Sequence, residues 1–319
     1  MVLAVDVGYG RTKIATDTKR DYFNSYLVRY RRNNLDFMKK SDRIEVDGQK
    51  YYVGDKALSE GTPISLIGDS FHGSSKWKAL LGYALYKLRD ELNENIDTMV
   101  LGLPLSQYNE ERKAQLKSIS DFKFSVNGEE FLYSTDKVIV LPQGAGAILE
   151  YMKKEEGTAI VDIGYYTLDL AYFREGGFNV GQSLSKNYGI QKLYVDLANE
   201  INRRFNISPD IKRIESIVGT NKLLYEGKEY DLSEMISEFK IAYCQDLVGI
   251  LNENWAEVLK EVNRVVFIGG GTEVIKEIIP DQANFYIPEN PSMANVLGFY
   301  KYGEKFGRKA AGEVENEQK

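Results

Sequence analysis

A chain of 319 residues is long enough for two domains of ordinary size. Its 43% hydrophobic and 28% charged residues exclude disorder throughout, and 41 Lys and Arg against 47 Asp and Glu, a net charge of −6, argue against a general nucleic-acid coat. One cysteine, Cys244, and one histidine, His72, exclude an intrachain disulfide, a cysteine zinc site and any chemistry that rests on a histidine pair.

The first residues, MVLAVDVGYGRTKIA, are apolar only briefly before Asp6 and carry no basic leader. No apolar run approaches the roughly 20 residues that cross a bilayer, so the expectation is a cytoplasmic protein with no membrane partner. Residues 2–7 read as a buried strand broken by Gly8 and Gly10, with a second strand over 12–15. Strands at 22–28, 44–46 and 51–53 follow, the last two joined by Asp47 and Gly48. Residues 75–92 place Trp77, Leu80, Leu81, Ala84, Leu85 and Leu88 on one face, which predicts an amphipathic helix. A strand over 97–103 ends at Pro104, a helix lies near 109–119, and a hairpin turning at Asn127 and Gly128 leads to a strand over 137–141.

Pro142 stops that strand, and a helix over 143–154 is expected directly after it. Gly157 then opens a second strand–turn–strand over 158–173. Helices at 189–205, 210–218 and 232–261 follow, then a strand over 265–271 that runs into a helix. A last helix over 291–307 and a polar tail over 309–319 complete the chain. The two strand–turn–strand segments share one pattern, VDVGYGRTKI from Val5 and VDIGYYTLDL from Val161. Each has an apolar strand, an Asp, a hydrophobic residue, a Gly, a short turn with Thr and a second strand. That duplication is the strongest architectural signal. Helices between strands predict an α/β architecture with covered sheets, and the lack of a long linker predicts two halves packed with a cleft between them.

The repeated Asp-x-Gly turn has a chemical reading. A tight glycine turn points several backbone N–H groups into one concavity, where they cradle phosphate oxygens, and Gly8 and Gly10 allow close approach. Lys13 lies just past the loop, in reach of terminal phosphates as a point charge. Asp6 and Asp162, expected to face each other across the cleft, would with phosphate oxygens make a Mg²⁺ environment that retains several waters. Phe267-Ile268-Gly269-Gly270-Gly271-Thr272 is a strand ending in glycines at a helix start, either a close approach to a ligand or a turn that needs left-handed residues. Neither a Walker A loop nor a Rossmann glycine fingerprint is present.

VDVGYGRTKI, VLPQGAGAI, TAIVDIGYYTLDL and VVFIGGGTEVI resemble the phosphate 1, connect 1, phosphate 2 and adenosine motifs of the actin/Hsp70/sugar-kinase ATPase fold, in the right order and over most of the chain. The ending PENPSMANVLGFYKYG looks most like ParM-type plasmid actins and archaeal actin-like proteins. The resemblance implies an α/β, two-domain actin-like ATPase fold of duplicated ribonuclease H-like domains with mixed sheets flanked by helices. Domain I would be 1–141 plus 295–319 and domain II 142–294. It implies ATP (or GTP) and Mg²⁺ as ligands, Asp6 and Asp162 holding the metal largely through water. Gly8, Tyr9, Gly10, Thr12 and Lys13 would hold the β- and γ-phosphates, with Gly164, Tyr165, Tyr166 and Thr167 closing from the other side. Gln143, first in its helix, would orient the attacking water. Gly269, Gly270 and Gly271 would line the nucleoside, with Lys212 and Glu215 as candidates for base and ribose.

Tyr165 and Tyr166 depart from the family, where small residues are common, and so does Tyr9. Asp169 is equally motif-like and structural. His72, in a Gly/Ser-rich segment, is expected as a loop side chain. The basic run Arg29, Arg31, Arg32, Lys39 and Lys40 is expected as a solvated face or a contact for a subunit or adaptor. The expected function is nucleotide-dependent self-association into filaments, serving plasmid or DNA segregation through a DNA-binding adaptor, or cytoskeletal organisation. The rival expectation is a non-polymerising small-molecule kinase or regulatory ATPase of the same fold.

Overall fold

The computed structural model describes residues 1–31, 41–68, 71–92, 95–151, 157–175 and 177–307. Arg32, Lys39 and Lys40 of the basic run, the end of the expected helix 143–154 and the polar tail lie outside the described residues. The chain divides into two compact units, Met1–Tyr151 with Met293–Lys319, and Met152–Ser292.

The first unit runs β1 (Val2–Val7), β2 (Arg11–Ala15), β3 (Arg20–Asn24), β4 (Leu27–Arg29), β5 (Asp42–Val46), β6 (Gln49–Val53), α1 (Ser75–Lys87), β7 (Asn95–Leu103), α2 (Glu110–Lys117), β8 (Asp121–Val126), β9 (Glu129–Pro142) and α3 (Ala145–Tyr151). Its nine strands form one sheet in the order β3-β2-β1-β7-β9-β8-β5-β6-β4. Strands β1, β7 and β9 are mutually parallel, which places a buried ribbon at the centre of the sheet. Period-two alternation sorts β1 onto two cores. Leu3, Val5 and Val7 join Trp77, Leu80, Leu81, Ala84 and Leu85 of α1. Val2 and Ala4 join Val296, Phe299 and Tyr300 of the C-terminal helix Ala294–Phe306 on the other face. Asp6, in the same alternation, belongs to that second face.

Three expectations change here. The strand expected over 22–28 is two strands, because the chain turns tightly at Ser25, the Tyr26 N–H donating to the Asn24 carbonyl at 2.8 Å; β3 and β4 end up at opposite ends of the sheet order. α1 stops at Lys87 rather than 92. Gln143 is not the first residue of a helix: Gly144 has φ of 87°, a left-handed turn that delays α3 to Ala145.

The second unit runs β10 (Thr158–Ile163), β11 (Leu168–Arg174), β12 (Gly177–Phe178), β13 (Leu184–Lys186), α4 (Gln191–Phe205), α5 (Ile211–Thr220), β14 (Lys222–Tyr225), β15 (Lys228–Asp231), α6 (Ser233–Glu261), β16 (Arg264–Ile268), α7 (Gly270–Ile275) and β17 (Phe285–Tyr286). Its main sheet has the order β12-β11-β10-β16-β17, with β13 on β11. β10 and β16 are parallel, β10 and β11 antiparallel. Ala159, Val161 and Ile163 share a core with Leu193 and Leu197 of α4 and Tyr243 and Leu247 of α6. α5 is capped by Asp210, whose side chain accepts from the N–H of Arg213 at 2.8 Å. The β14–β15 hairpin was not foreseen from the sequence. Within α6, Trp255 departs from helical geometry (φ −131°), and its indole N–H donates to the carbonyl of Gln182 at 2.6 Å.

The C-terminal helix, now α8 (Ala294–Phe306), returns to the first unit and meets α3 there. A Cβ on Gly298 would lie 1.8 Å from the carbonyl oxygen of Gly146, so the two backbones touch. That contact groups α3 with the first unit, whereas the expected second domain began at 142. Among the described residues no helix is long and apolar enough to cross a membrane.

Candidate functional site

In the first unit β1 and β2 are tied by the Gly8–Gly10 turn, and the register sets Asp6 opposite Lys13 and Val7 opposite Thr12. The Gly8 N–H donates to the Arg11 carbonyl at 3.2 Å, and a Cβ on Gly8 would sit 2.9 Å from that same oxygen. Asp6 is 2% exposed, and each of its carboxylate oxygens has a partner. Oδ2 accepts from Lys13 Nζ at 3.3 Å, and Oδ1 accepts from Gln143 Nε2 at 3.1 Å. The fold therefore gathers three of the sequence-predicted residues, Asp6, Lys13 and Gln143, into one polar cluster. Thr12 is buried, its hydroxyl 3.0 Å from that of Ser25, and the Gly10 carbonyl accepts from the Ser25 N–H at 2.9 Å; both hold the turn from behind.

Tyr9 sends its ring away from the turn. It packs on the first unit's core, 5.1 Å from Phe71 and edge-on to His72 at 5.8 Å. His72 is a loop side chain, as expected, and a buried one, 1% exposed, with Nδ1 3.0 Å from Gln107 Oε1. Its Nε2 has no hydrogen-bond partner among the described residues. Burial pushes the imidazole down from 6.5 to about 4; Gln107 and Asp6 act in the opposite sense, and Arg112 adds to the lowering. The imidazole beside the Gly8–Gly10 turn is neutral at physiological pH.

The second unit repeats the turn. Asp162 lies opposite Asp169 and Ile163 opposite Leu168, the same spacing as Asp6 and Lys13. The Gly164 N–H donates to the Thr167 carbonyl at 2.9 Å, and a Cβ there would lie 3.1 Å from that oxygen. Asp162 and Asp169 are both buried, and Asp169 Oδ2 accepts from Thr167 Oγ1 at 2.8 Å. The carbonyls of Gly164, Tyr165 and Tyr166 accept the N–H groups of Ile190, Gln191 and Gly189, which fastens the turn to the start of α4. Tyr165 packs on the core; burial first and Glu215 second push its phenol up to about 12. Glu215 of α5 thus lies within electrostatic reach of the turn, and Lys212 is an exposed residue of the same helix.

Beyond β16 the expected strand ends early, at Ile268, because Gly269 has φ of 93°. A Cβ on Gly269 would stand 2.4 Å from Asp162 Oδ1, and one on Gly271 2.3 Å from Ile163, so both glycines permit close packing on β10. Gly270 differs: an added Cβ meets nothing within 4 Å.

Each turn taken by itself, a glycine turn beside a buried carboxylate, has the chemistry that fits a magnesium–phosphate group, since such turns can present backbone N–H groups to phosphate. Among the described residues no group of three or more His, Cys, Asp or Glu forms a metal cage, and Mg²⁺ ordinarily needs only one or two carboxylates beside phosphate oxygens and water. Sequence reasoning missed Asn295, Gly102 and the burial of His72. A Cβ on Gly102 would lie 2.7 Å from the Phe299 ring and 3.4 Å from Asp6 Oδ1. Asn295 accepts from the Gly144 N–H at 2.9 Å. The one available signal was the Asn-x-x-Gly spacing of Asn295 and Gly298 at the head of the last helix.

The mixed sheets flanked by helices have the two-domain actin-like fold. Ta0583, an archaeal actin homolog, superimposes with a TM-score of 0.79 at 20% identity, over 95% of this chain and 99% of that one. The ParM of a 15-stranded filament from Clostridium botulinum gives 0.77 at 21%, over 96% and 99%. The actin-like protein Alp7A gives 0.76 at 14%, over 94% of each. No curated protein sequence matches. Residues 4–146 match the N-terminal domain of actin like proteins, and residues 160–280 match the C-terminal domain of the archaeal actin homologue MreB-like family. The chain belongs to the actin-like proteins.

Proposed function

We propose that this protein is a nucleotide-dependent, filament-forming ATPase. It binds ATP or GTP with Mg²⁺, hydrolyses it, and assembles with copies of itself while the triphosphate is bound. The observation that carries this reading is the repeated turn: Gly8 and Gly164 close with the same backbone bond, each two residues after a buried aspartate. In this reading the Gly8-Tyr9-Gly10 and Gly164-Tyr165-Tyr166 turns bind phosphate through backbone N–H groups, with Thr12 and Thr167 bracing them and Lys13 adding charge. Asp6 and Asp162 hold the metal, which would neutralise phosphate charge when bound. Gly269, Gly270 and Gly271 line the nucleoside, with Lys212 and Glu215 at its base and ribose.

Gln143 orients the attacking water, a positioning task that suits an amide rather than a strong base. Its side chain is already aimed by the bond to Asp6. One relative has been crystallised as a complex with ADP, and two are filaments in their structures, which supports both halves of the proposal. Head-to-tail contacts that do not close on themselves generate such filaments. The proposed setting is the cytoplasm, and the proposed use is segregating plasmid or other DNA through an adaptor protein, with a cytoskeletal role second; the net charge of −6 disfavours direct contact with DNA.

Electron microscopy and pelleting of the purified protein with ATP, GTP, ADP and no nucleotide, with phosphate release followed in parallel, tests the proposal. Filaments with triphosphate that shorten as phosphate appears are expected. A monomer at high concentration that transfers phosphate to a small molecule would establish the kinase instead.

A further inference from the structure

We infer that Asn295 is a positioning residue for Gln143, and so for hydrolysis. This rests on the water-orienting role proposed for Gln143. The two residues are 152 positions apart in sequence and are joined through Gly144. The Gln143 N–H donates to the Leu103 carbonyl at 2.7 Å, and the next N–H, that of Gly144, donates to Asn295 Oδ1 at 2.9 Å. The peptide that carries Gln143 is held on both sides. An N–H requires an oxygen opposite it, so the Asn295 amide can be oriented only one way.

Asn295 is itself fixed. It is 4% exposed, and its own backbone oxygen would be 2.3 Å from a Cβ on Gly146, so α8 lies directly on the start of α3. One turn further along α8, Phe299 lies against Gly102, the neighbour of Leu103 and of the Asp6 carboxylate. The helix thus supports the two backbone clamps on the Gln143 segment and the acceptor of its side chain. Gly144, at φ 87°, is the turn that aims Gln143 at Asp6. Without the Asn295 oxygen its N–H is a buried donor with no partner, and the turn relaxes to find one.

The test uses full-length Asn295→Leu, Asn295→Asp, Gln143→Ala and the Asn295→Leu/Gln143→Ala double variant. Leu removes the acceptor at similar volume, and Asp keeps it. Three quantities are read: single-turnover phosphate release, nucleotide affinity, and amide hydrogen exchange at Gly144 in the nucleotide-free protein. Asn295→Leu is expected to slow hydrolysis about 10- to 100-fold through misplacement of Gln143, with affinity within about threefold of wild type and faster exchange at Gly144. Asn295→Asp is expected to restore the rate to within about threefold. The double variant is expected to be no slower than Gln143→Ala alone, since residues that act as one unit are not additive.

Wild-type hydrolysis in Asn295→Leu, unchanged Gly144 exchange, or losses that multiply in the double variant would overturn the inference. If Asn295→Leu does not fold, Asn295→Asp decides: a recovered rate supports it and a large loss overturns it. Wild-type hydrolysis in Gln143→Ala would instead overturn the role of Gln143, while Gly144 exchange would still report whether Asn295 holds the turn.

Discussion

Asp6 and Gln143 stand 137 residues apart in sequence, yet Gln143 Nε2 donates to Asp6 Oδ1 at 3.1 Å. The bond ties the proposed metal ligand to the proposed water-orienting amide before any nucleotide arrives, so the energetic cost of ordering Gln143 is met in folding rather than in catalysis. Gln143→Ala is expected to slow phosphate release by about 10²-fold while leaving nucleotide affinity nearly unchanged, the signature of an interaction made only in the transition state. Stopped-flow phosphate release beside a calorimetric affinity measurement checks this.

Gly269 and Gly270 are adjacent and make opposite predictions. Alanine at 269 must adopt a left-handed backbone and push Asp162 aside, so Gly269→Ala is expected to lose about 1–3 kcal/mol of stability from the backbone alone, and with it nucleotide binding. Gly270→Ala meets open space and should shift stability by no more than about 0.5 kcal/mol. If the nucleoside lies there, its affinity nonetheless falls. Urea unfolding of both variants beside nucleotide titration separates the two cases.

Gly298 permits the contact of α3 with α8. A methyl group 1.8 Å from the Gly146 carbonyl oxygen forces the helices apart, and overpacking of this kind costs about 1–3 kcal/mol. Gly298→Ala is expected to lower the urea midpoint. It should also slow hydrolysis, because the same movement draws Asn295 from Gly144.

His72 predicts a pH dependence of stability. The folded protein binds a proton there only near pH 4, against 6.5 for the free side chain, so between these values the unfolded chain binds more protons. Stability is therefore full above about pH 6.5 and falls as the pH drops toward 4, by about 3 kcal/mol in total. His72→Phe should flatten the thermal-melting profile over that window; a fall equal to that of wild type would place the titration elsewhere.

What could be read from the sequence was local. VDVGYGRTKI and VDIGYYTLDL betray two glycine turns because the Asp, Gly and Thr of each lie within a few residues, and the structure gives them matching registers. The α1 stripe was equally plain, since 3.6-residue periodicity is a property of one segment. Contacts that join distant segments were not legible. His72 sits among Gly and Ser residues; Tyr9 and Gln107, brought by other parts of the chain, pack against it and bond it. Gln143 looked like the first residue of a helix because Pro142 precedes it, and only the backbone angle at Gly144 shows the intervening turn. Asn295 was one polar residue at the head of an amphipathic helix, and its partner lies 151 positions earlier. The β14–β15 hairpin escaped because four-residue strands between two helices carry too little pattern to distinguish them from helix ends.

Calorimetric titration of ATP with and without Mg²⁺ into wild type, Asp6→Asn and Asp162→Asn decides whether both glycine-turn aspartates serve one metal–nucleotide site, as proposed. One nucleotide per chain is expected, with Mg²⁺-dependent affinity that each substitution weakens by at least about tenfold and that Mg²⁺ no longer enhances in either variant. Wild-type, Mg²⁺-enhanced binding in either variant would rule out a site shared by the two aspartates.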